Sequence, residues 1–198
     1  MKSISSAVLA LAATAAVVAA SPALAALGTG AAAPVFSAPA SLAGKEINFS
    51  LAEALKKGPT VVYFYPSAYT GGCNLQAHTF AEEMEKFTAA GATVVGVSLD
   101  SIERLNKFSA DPSYCAGKLA VASDADGKIA RSYGLSVADA KAGAKDSRGE
   151  EIGHGFAERT TFVITSDGKI AATVGGVSPD ENVKQTLAAV EGLKKAHS

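Results

Sequence analysis

Val61-Val62-Tyr63-Phe64-Tyr65-Pro66-Ser67-Ala68-Tyr69-Thr70-Gly71-Gly72-Cys73 decides how this chain is read. The first five residues are β-formers in an unbroken apolar run, the pattern of a buried strand, and Pro66 and the paired glycines break it. From Asn74 to Ala90 the spacing turns helical, with apolar residues at Leu75, Phe80, Met84 and Phe87. Cys73 is therefore expected to cap a helix that follows a central strand. Unpaired backbone N–H groups and the positive end of the helix dipole favour a thiolate at such a position, and a thiolate is a nucleophile.

Outward from this stretch, strands and helices alternate, which predicts an α/β fold with a largely parallel sheet. Thr93 to Leu99 reads as a second buried strand. Asp100 and Glu103 have capping-box spacing for a helix through Ser109, and Lys118 to Ala122 reads as a short third strand. Lys128 to Tyr133 is a helical turn or two. Thr160 to Thr165 and Ile170 to Val174 are expected to pair as a hairpin around Ser166-Asp167-Gly168-Lys169. Ser178, Pro179 and Glu181 supply an N-cap, a first-turn proline and a capping-box glutamate for a last helix to Lys195. Val137 to Gly155 fits no period and is expected to be a surface excursion, its Lys141 to Glu151 charges solvated. Ala26 to Ala33 is expected to be a flexible start.

At the N-terminus, Lys2, the apolar run Ala7 to Ala20 and Ala23-Leu24-Ala25 have the layout of a secretory signal peptide cleaved after Ala25. Residues 26–198 then suit a single domain with one core. The apolar run is short for a membrane span, so no stable membrane association is expected. With Gram-negative export the destination is the periplasm. A net charge of −1 without any basic run argues against nucleic acid as a partner. Two cysteines in an exported chain allow a structural disulfide between Cys73 and Cys115, although a structural cysteine has no need of the approach that precedes Cys73.

The segment Pro66 to Cys73 has the form P-x-x-x-T-x-x-C and resembles a peroxiredoxin of the AhpC/TSA superfamily, of the PrxQ or bacterioferritin-comigratory type. The resemblance runs from about Gly30 to about Val190 and includes Ala33-Pro34, Phe36, Ser123 to Lys128, Tyr133-Gly134 and Arg159-Thr160-Thr161-Phe162. It implies a thioredoxin-like fold, a central mixed sheet flanked by helices, with the N-terminal extension of that family. It implies a thiol peroxidase that reduces hydrogen peroxide and alkyl hydroperoxides without a cofactor or metal and is regenerated by a thioredoxin-like protein. By this resemblance Cys73 is the peroxidatic cysteine and forms a sulfenic acid. Thr70 places a hydroxyl beside the sulfur, Pro66 shields it from water, and Arg159 directs its guanidinium at it. Relatives occur as monomers and as homodimers.

Two positions depart from the family pattern. Gln76 stands where a glutamate often orients the arginine, and His78 stands where many of these proteins carry the resolving cysteine. Cys115 is then the remaining candidate to resolve Cys73; otherwise it is a free or structural thiol and an external thiol meets the sulfenate directly. Arg159 pairing with Glu158 at the surface is the bland alternative for that residue. His78 and His154 show no metal-site spacing with other ligands, and His154 is a candidate for the pocket mouth. A thioredoxin-like disulfide reductase would want a second cysteine within Asn74-Leu75-Gln76, which has none. A copper chaperone on the same fold would want a two-cysteine ligand cluster, which is also absent.

Overall fold

The computed structural model describes residues 25–196, so the signal-peptide reading lies outside the described residues. Strand β3 (Thr60–Phe64) forms where the apolar run predicts it, all five residues buried. Its alternating side chains divide the protein into two layers. Val62 and Phe64 join one core with Phe36, Phe49, Tyr133 and Phe162. Val61 and Tyr63, with Tyr65 just beyond, join the other, which holds both cysteines.

Three elements precede β3. Strands β1 (Ser37–Leu42) and β2 (Lys45–Ser50) pair as a tight hairpin. Its two turn residues, Ala43 and Gly44, both have positive φ, 51° and 77°, as such a short loop requires. Helix α1 (Leu51–Leu55) follows, its Glu53 N–H donating to the Ser50 hydroxyl. After β3 come α2 (Gly71–Ala89), β4 (Thr93–Ser98), α3 (Ile102–Ala110), β5 (Ala120–Ser123) and α4 (Lys128–Ser132). The chain ends with β6 (Val137–Ala138), β7 (Phe156–Ala157), β8 (Thr160–Ile164), β9 (Ile170–Gly175) and α5 (Pro179–Ala196).

The main sheet has the order β2-β1-β5-β4-β3-β8-β9. Only β3/β4 and β4/β5 are parallel; β1/β2, β1/β5, β3/β8 and β8/β9 are antiparallel. The sheet is thus mixed, as the thioredoxin-like resemblance implies, and not largely parallel. Strand–helix alternation anticipates crossovers, but β8 and the N-terminal hairpin join by other routes. Helices α2, α3 and α5 cover the layer that contains the cysteines.

Several boundaries move for local reasons. Helix α2 begins at Gly71 with Thr70 as N-cap, so Cys73 lies in the first turn and is not the cap. The Asn74 N–H donates to Thr70 O at 2.8 Å and closes that turn. Helix α3 is capped by Ser101, whose hydroxyl accepts from the Arg104 N–H. Asp100 cannot serve as the cap because its carboxylate is turned inward and already occupied. Residues 26–33 are not a free start. Gly30 and Ala33 N–H groups donate at 2.8 Å to Ile170 O and Gly168 O, and Thr173 Oγ1 donates to Leu27 O, so this segment lines the β9 edge.

Gly96 on β4 lies directly under the ring of Tyr63 on β3: a Cβ there would stand 2.5 Å from Cζ. The ring is also stacked on Phe80, centroids 4.6 Å apart, and has no room to retreat. Gly96→Ala is expected to cost about 1–3 kcal/mol of stability by overpacking, read as a lower denaturation midpoint at unchanged m-value.

Candidate active site

Cys73 and Arg159 are far apart in sequence, and the sheet joins them. In the antiparallel register of β3 with β8, Phe64 faces Thr160, which sets Arg159 beside the end of β3 where the loop to Cys73 departs. Arg159 Nη2 donates to Cys73 Sγ at 3.2 Å, and Nη1 donates to Gln76 Oε1 in a short hydrogen bond. Glu158 instead accepts from the Ser136 hydroxyl at 2.9 Å, so the surface pairing of Glu158 with Arg159 does not form. The cysteine is 2% exposed, so bulk water is largely kept from it.

Gln76 supplies the acceptor oxygen that orients Arg159 without adding a negative charge. Its own orientation is set from behind: Gln76 Nε2 donates to Asn182 Oδ1 at 3.0 Å, Thr161 Oγ1 donates to the same oxygen at 2.7 Å, and Asn182 Nδ2 donates to Val174 O at 3.0 Å. All three side chains are fully buried. Gln76, Asn182 and Thr161 thus carry the order of β8, β9 and α5 to the guanidinium. Asn182 has no local signal in the sequence, since an asparagine in the first turn of a helix usually faces water or serves the helix end.

Gly72 has a second task besides opening the helix. A Cβ on it would lie 3.2 Å from Arg159 Nη2 and 3.4 Å from Pro179 Cγ, so the missing side chain is the space the guanidinium uses. Thr70 is half-buried at the N-cap, and its Oγ1 donates to Ser67 O at 2.8 Å. A hydroxyl has one hydrogen, and in this form it goes to the loop carbonyl instead of the sulfur. Pro66 is half-buried at the head of the same loop.

Cys115 is fully buried, and both cysteines are free. Burial first, and then the charge of Asp111, push its thiol far above the usual range. It sits in a turn closed by Ala116 N–H to Asp111 O and Lys118 N–H to Cys115 O, both 2.9 Å. Tyr63 lies in the same apolar layer with its hydroxyl buried and unpartnered, its phenol raised well above normal by burial and by the charges of Cys115 and Cys73.

Asp100 organises the loop before Cys73. Its carboxylate accepts from Ala68 N–H at 2.7 Å, Ser98 Oγ at 2.7 Å and Ser67 Oγ at 3.0 Å. Arg104 Nε forms an ion pair with it at 2.9 Å, off the N–H line and so without a hydrogen bond. His154 Nε2 lies 2.8 Å from Asp100 Oδ1, and His154 Nδ1 lies 2.7 Å from Gly155 O. With an acceptor at each ring nitrogen, His154 is held as an imidazolium. Burial opposes that charge, but the hydrogen bond that the ring donates to Asp100, the carboxylate's charge and the Gly155 carbonyl outweigh it and raise the ring above its ordinary value. His78 sits 3.3 Å from Glu82 at the surface of α2, remote from this network in its contacts.

The excursion between β6 and β7 is less solvated than its composition predicts. Asp146 has no exposed side-chain surface and accepts from Arg104 and Arg148. Burial works against its charge, yet the Arg148 side chain, the N–H groups of Arg148 and Glu150, and Arg104 bring it down to about 2.

Two outcomes test this geometry. Gly72→Ala is expected to change the melting temperature little, because alanine's helical preference over glycine, at most about 1 kcal/mol, is offset by crowding of Arg159 and Pro179. The same change should slow oxidation of Cys73 by hydrogen peroxide about fivefold or more as the guanidinium is displaced. A raised imidazolium contributes stability fully below the unfolded value of about 6.5 and loses it as pH rises through the folded value. His154→Gln should therefore lower the melting temperature more at acidic than at alkaline pH; a constant loss across that range would contradict the ion pair.

Residues 29–173 match the AhpC/TSA family. Among curated proteins, the chain is 31% identical over 138 residues to peroxiredoxin Bcp of Escherichia coli (strain K12), covering 70% of this chain and 79% of that protein. It is 31% identical over 140 residues to chloroplastic peroxiredoxin Q of Sedum lineare, covering 70% and 67%. The solved structure of peroxidoxin BcpB from Mycobacterium tuberculosis superposes with a TM-score of 0.69 at 27% identity, covering 84% of this chain and 98% of that one. The bacterioferritin comigratory protein of Xanthomonas campestris, solved in trapped intermediate and ligand complexes, gives 0.62 at 26% identity, covering 79% and 91%. With a first-turn cysteine under an arginine from a neighbouring strand, on this fold and at these identities, the chain belongs to the AhpC/TSA family and is a peroxiredoxin of the Bcp/PrxQ type.

Proposed function

We propose that this peroxiredoxin is exported, cleaved after Ala25 and active in the periplasm, where it reduces hydrogen peroxide and alkyl hydroperoxides with Cys73 as the attacking thiol. The observation that carries the chemistry is the 3.2 Å contact of Arg159 Nη2 with Cys73 Sγ at the open end of α2. A thiolate there attacks the nearer peroxide oxygen, the O–O bond breaks, and the far oxygen leaves as hydroxide from hydrogen peroxide or as alkoxide from an alkyl hydroperoxide, taking a proton to become water or an alcohol. Cys73 becomes a sulfenic acid. Arg159 and the backbone N–H groups of the first turn of α2 stabilise the charge that moves to the leaving oxygen. With Cys73 only 2% exposed, bulk water is kept from the sulfur and access is restricted to a small solute such as a hydroperoxide.

Cys115 then attacks the sulfenic sulfur, forms a disulfide and releases water; a thioredoxin-like protein reduces that disulfide. Both thiols are free and buried in this form, and on this reading the first turn of α2 unwinds so that the Cα atoms come within about 4.4–6.8 Å in suitable orientation. In Cys115→Ser an external thiol takes its place.

Stopped-flow oxidation of the reduced protein by hydrogen peroxide tests the reading. The rate is expected to exceed that of free cysteine by orders of magnitude, to vanish in Cys73→Ser and to fall about 100-fold in Arg159→Lys, which lacks the planar two-point donor. A wild-type rate equal to that of free cysteine defeats the enzyme reading. Intact mass after one equivalent of peroxide should show loss of two hydrogens in the wild type and gain of one oxygen in Cys115→Ser. The protein recovered from the exporting cell should begin at Ala26.

A further inference from the structure

The excursion between β6 and β7 grips the loop that leads to Cys73, and neither the peroxide step nor the resolving step above gives it a task. The Arg148 guanidinium lies on the Tyr69 ring, its carbon 3.2 Å from the centroid, and the Arg104 guanidinium stands 5.2 Å from the same ring. Asp146, shut away from solvent, joins the two, accepting from Arg104 Nη2 at 2.7 Å and from Arg148 Nη2 at 2.8 Å. The main chain is held as well. Ser147 N–H donates to Tyr69 O at 2.9 Å, and Arg104 Nη2 donates to Ala68 O at 3.0 Å.

Tyr69 connects this grip to the other cysteine. Its ring meets Phe108 at 5.0 Å and Tyr114 at 5.4 Å, both edge-on, and Tyr114 is the neighbour of Cys115. One side chain therefore stands between the approach to one sulfur and the turn that carries the other. Tyr69 also has φ of +61°, in the left-handed region that a tyrosine occupies only where its surroundings impose it. Thr70, the next residue, caps α2, so the residue that Arg148 covers immediately precedes the cap of the turn that carries Cys73.

We propose that Asp146 and Arg148, with Arg104, are positioning residues for the peroxidase reaction: they hold Tyr69 so that the Cys73 turn stays wound for the peroxide step, and their release sets how fast Cys73 meets Cys115. This rests on the roles of Cys73 and Cys115 given above. The Cys73 sulfenic acid has two fates. Attack by the Cys115 thiol forms the S–S bond and releases the sulfenic oxygen as water. Attack on a second hydroperoxide molecule adds that molecule's oxygen to the sulfur, giving a sulfinic acid and, from hydrogen peroxide, water. A firm grip favours the first oxidation but prolongs the sulfenic acid, whereas a loose grip favours the disulfide.

Arg148→Ala and Arg148→Lys test this, with stopped-flow oxidation, intact mass over a peroxide series and amide hydrogen exchange of residues 67–74. Arg148 is at the surface, and the melting temperature confirms that each variant folds. In Arg148→Ala, oxidation of Cys73 is expected to slow about threefold or more, disulfide closure to quicken by a similar factor, and the sulfinic-to-disulfide ratio to fall. Lysine keeps the charge for Asp146 but not the flat stack on Tyr69, and should restore these values only in part. Closure and ratio within twofold of wild type in Arg148→Ala overturn the proposal. If the wild type forms no disulfide at all, the Cys115 reading alone fails. The grip is then read in faster exchange at residues 67–74 and a slower peroxide step, and wild-type values for both overturn it.

Discussion

The register of β8 against β3 is the constraint on which the site depends. A β-strand turns its side chains over at every residue, so a slip by one position would carry Arg159 to the opposite layer of the protein, away from the cysteines. Here the register is over-determined. Val62 and Phe162 pack into one core, Val61 and Val163 into the other, and both strands are wholly buried. The hydrophobic pattern that builds the sheet is thus also what delivers a guanidinium to a sulfur. Gln76, Asn182 and Thr161 then remove the remaining freedom of a long side chain by spending buried amide and hydroxyl groups on one another.

What was legible in the sequence was whatever local periodicity or punctuation encodes. The apolar run of β3, the cysteine after a proline and two glycines, the β8–β9 hairpin around Asp167-Gly168 and the proline-started last helix all announce themselves within a few residues. The β1–β2 hairpin did not, because Ser-Ala-Pro-Ala-Ser-Leu carries little β-forming character and owes its strand to a buried neighbour, β5. Asp100 was read as a helix cap for sound local reasons. Its real use, as acceptor for groups on the loop, on β4 and on the excursion, exists only in three dimensions. The paired glycines show the same division: Gly71 has open space above it, while Gly72 is the slot through which Arg159 passes. Nothing in the dipeptide distinguishes them.

The charged network around Asp100 and Asp146 is a poor source of stability, since desolvating two carboxylates and two guanidiniums costs about as much as their mutual attraction returns. Each carboxylate has two cationic partners, Arg104 and His154 for Asp100 and Arg104 and Arg148 for Asp146, so the loss of one cation weakens the network without leaving a carboxylate unpaired. Such a network is better at selecting one conformation than at deepening the native well. The conformation it selects is an unfavourable one, the left-handed Tyr69 at the mouth of α2, worth about 1–3 kcal/mol of strain. The excursion between β6 and β7 supplies most of the holding groups, which accounts for an irregular, charge-rich segment being tied down so closely.

Burial of both sulfurs follows from the same arrangement and separates two chemical needs in time. The proposed attack on peroxide needs a thiol kept from bulk water, and Cys73, 2% exposed beneath Arg159, meets that need. The resolving role proposed for Cys115 requires it to reach Cys73, and in this form both thiols are free and buried. The apolar surroundings of Cys115 and the nearby Asp111 suppress its ionisation and so weaken it as a nucleophile. On the proposed reading, reactivity is confined to Cys73 in this form, and Cys115 takes part only after local unfolding brings the pair together.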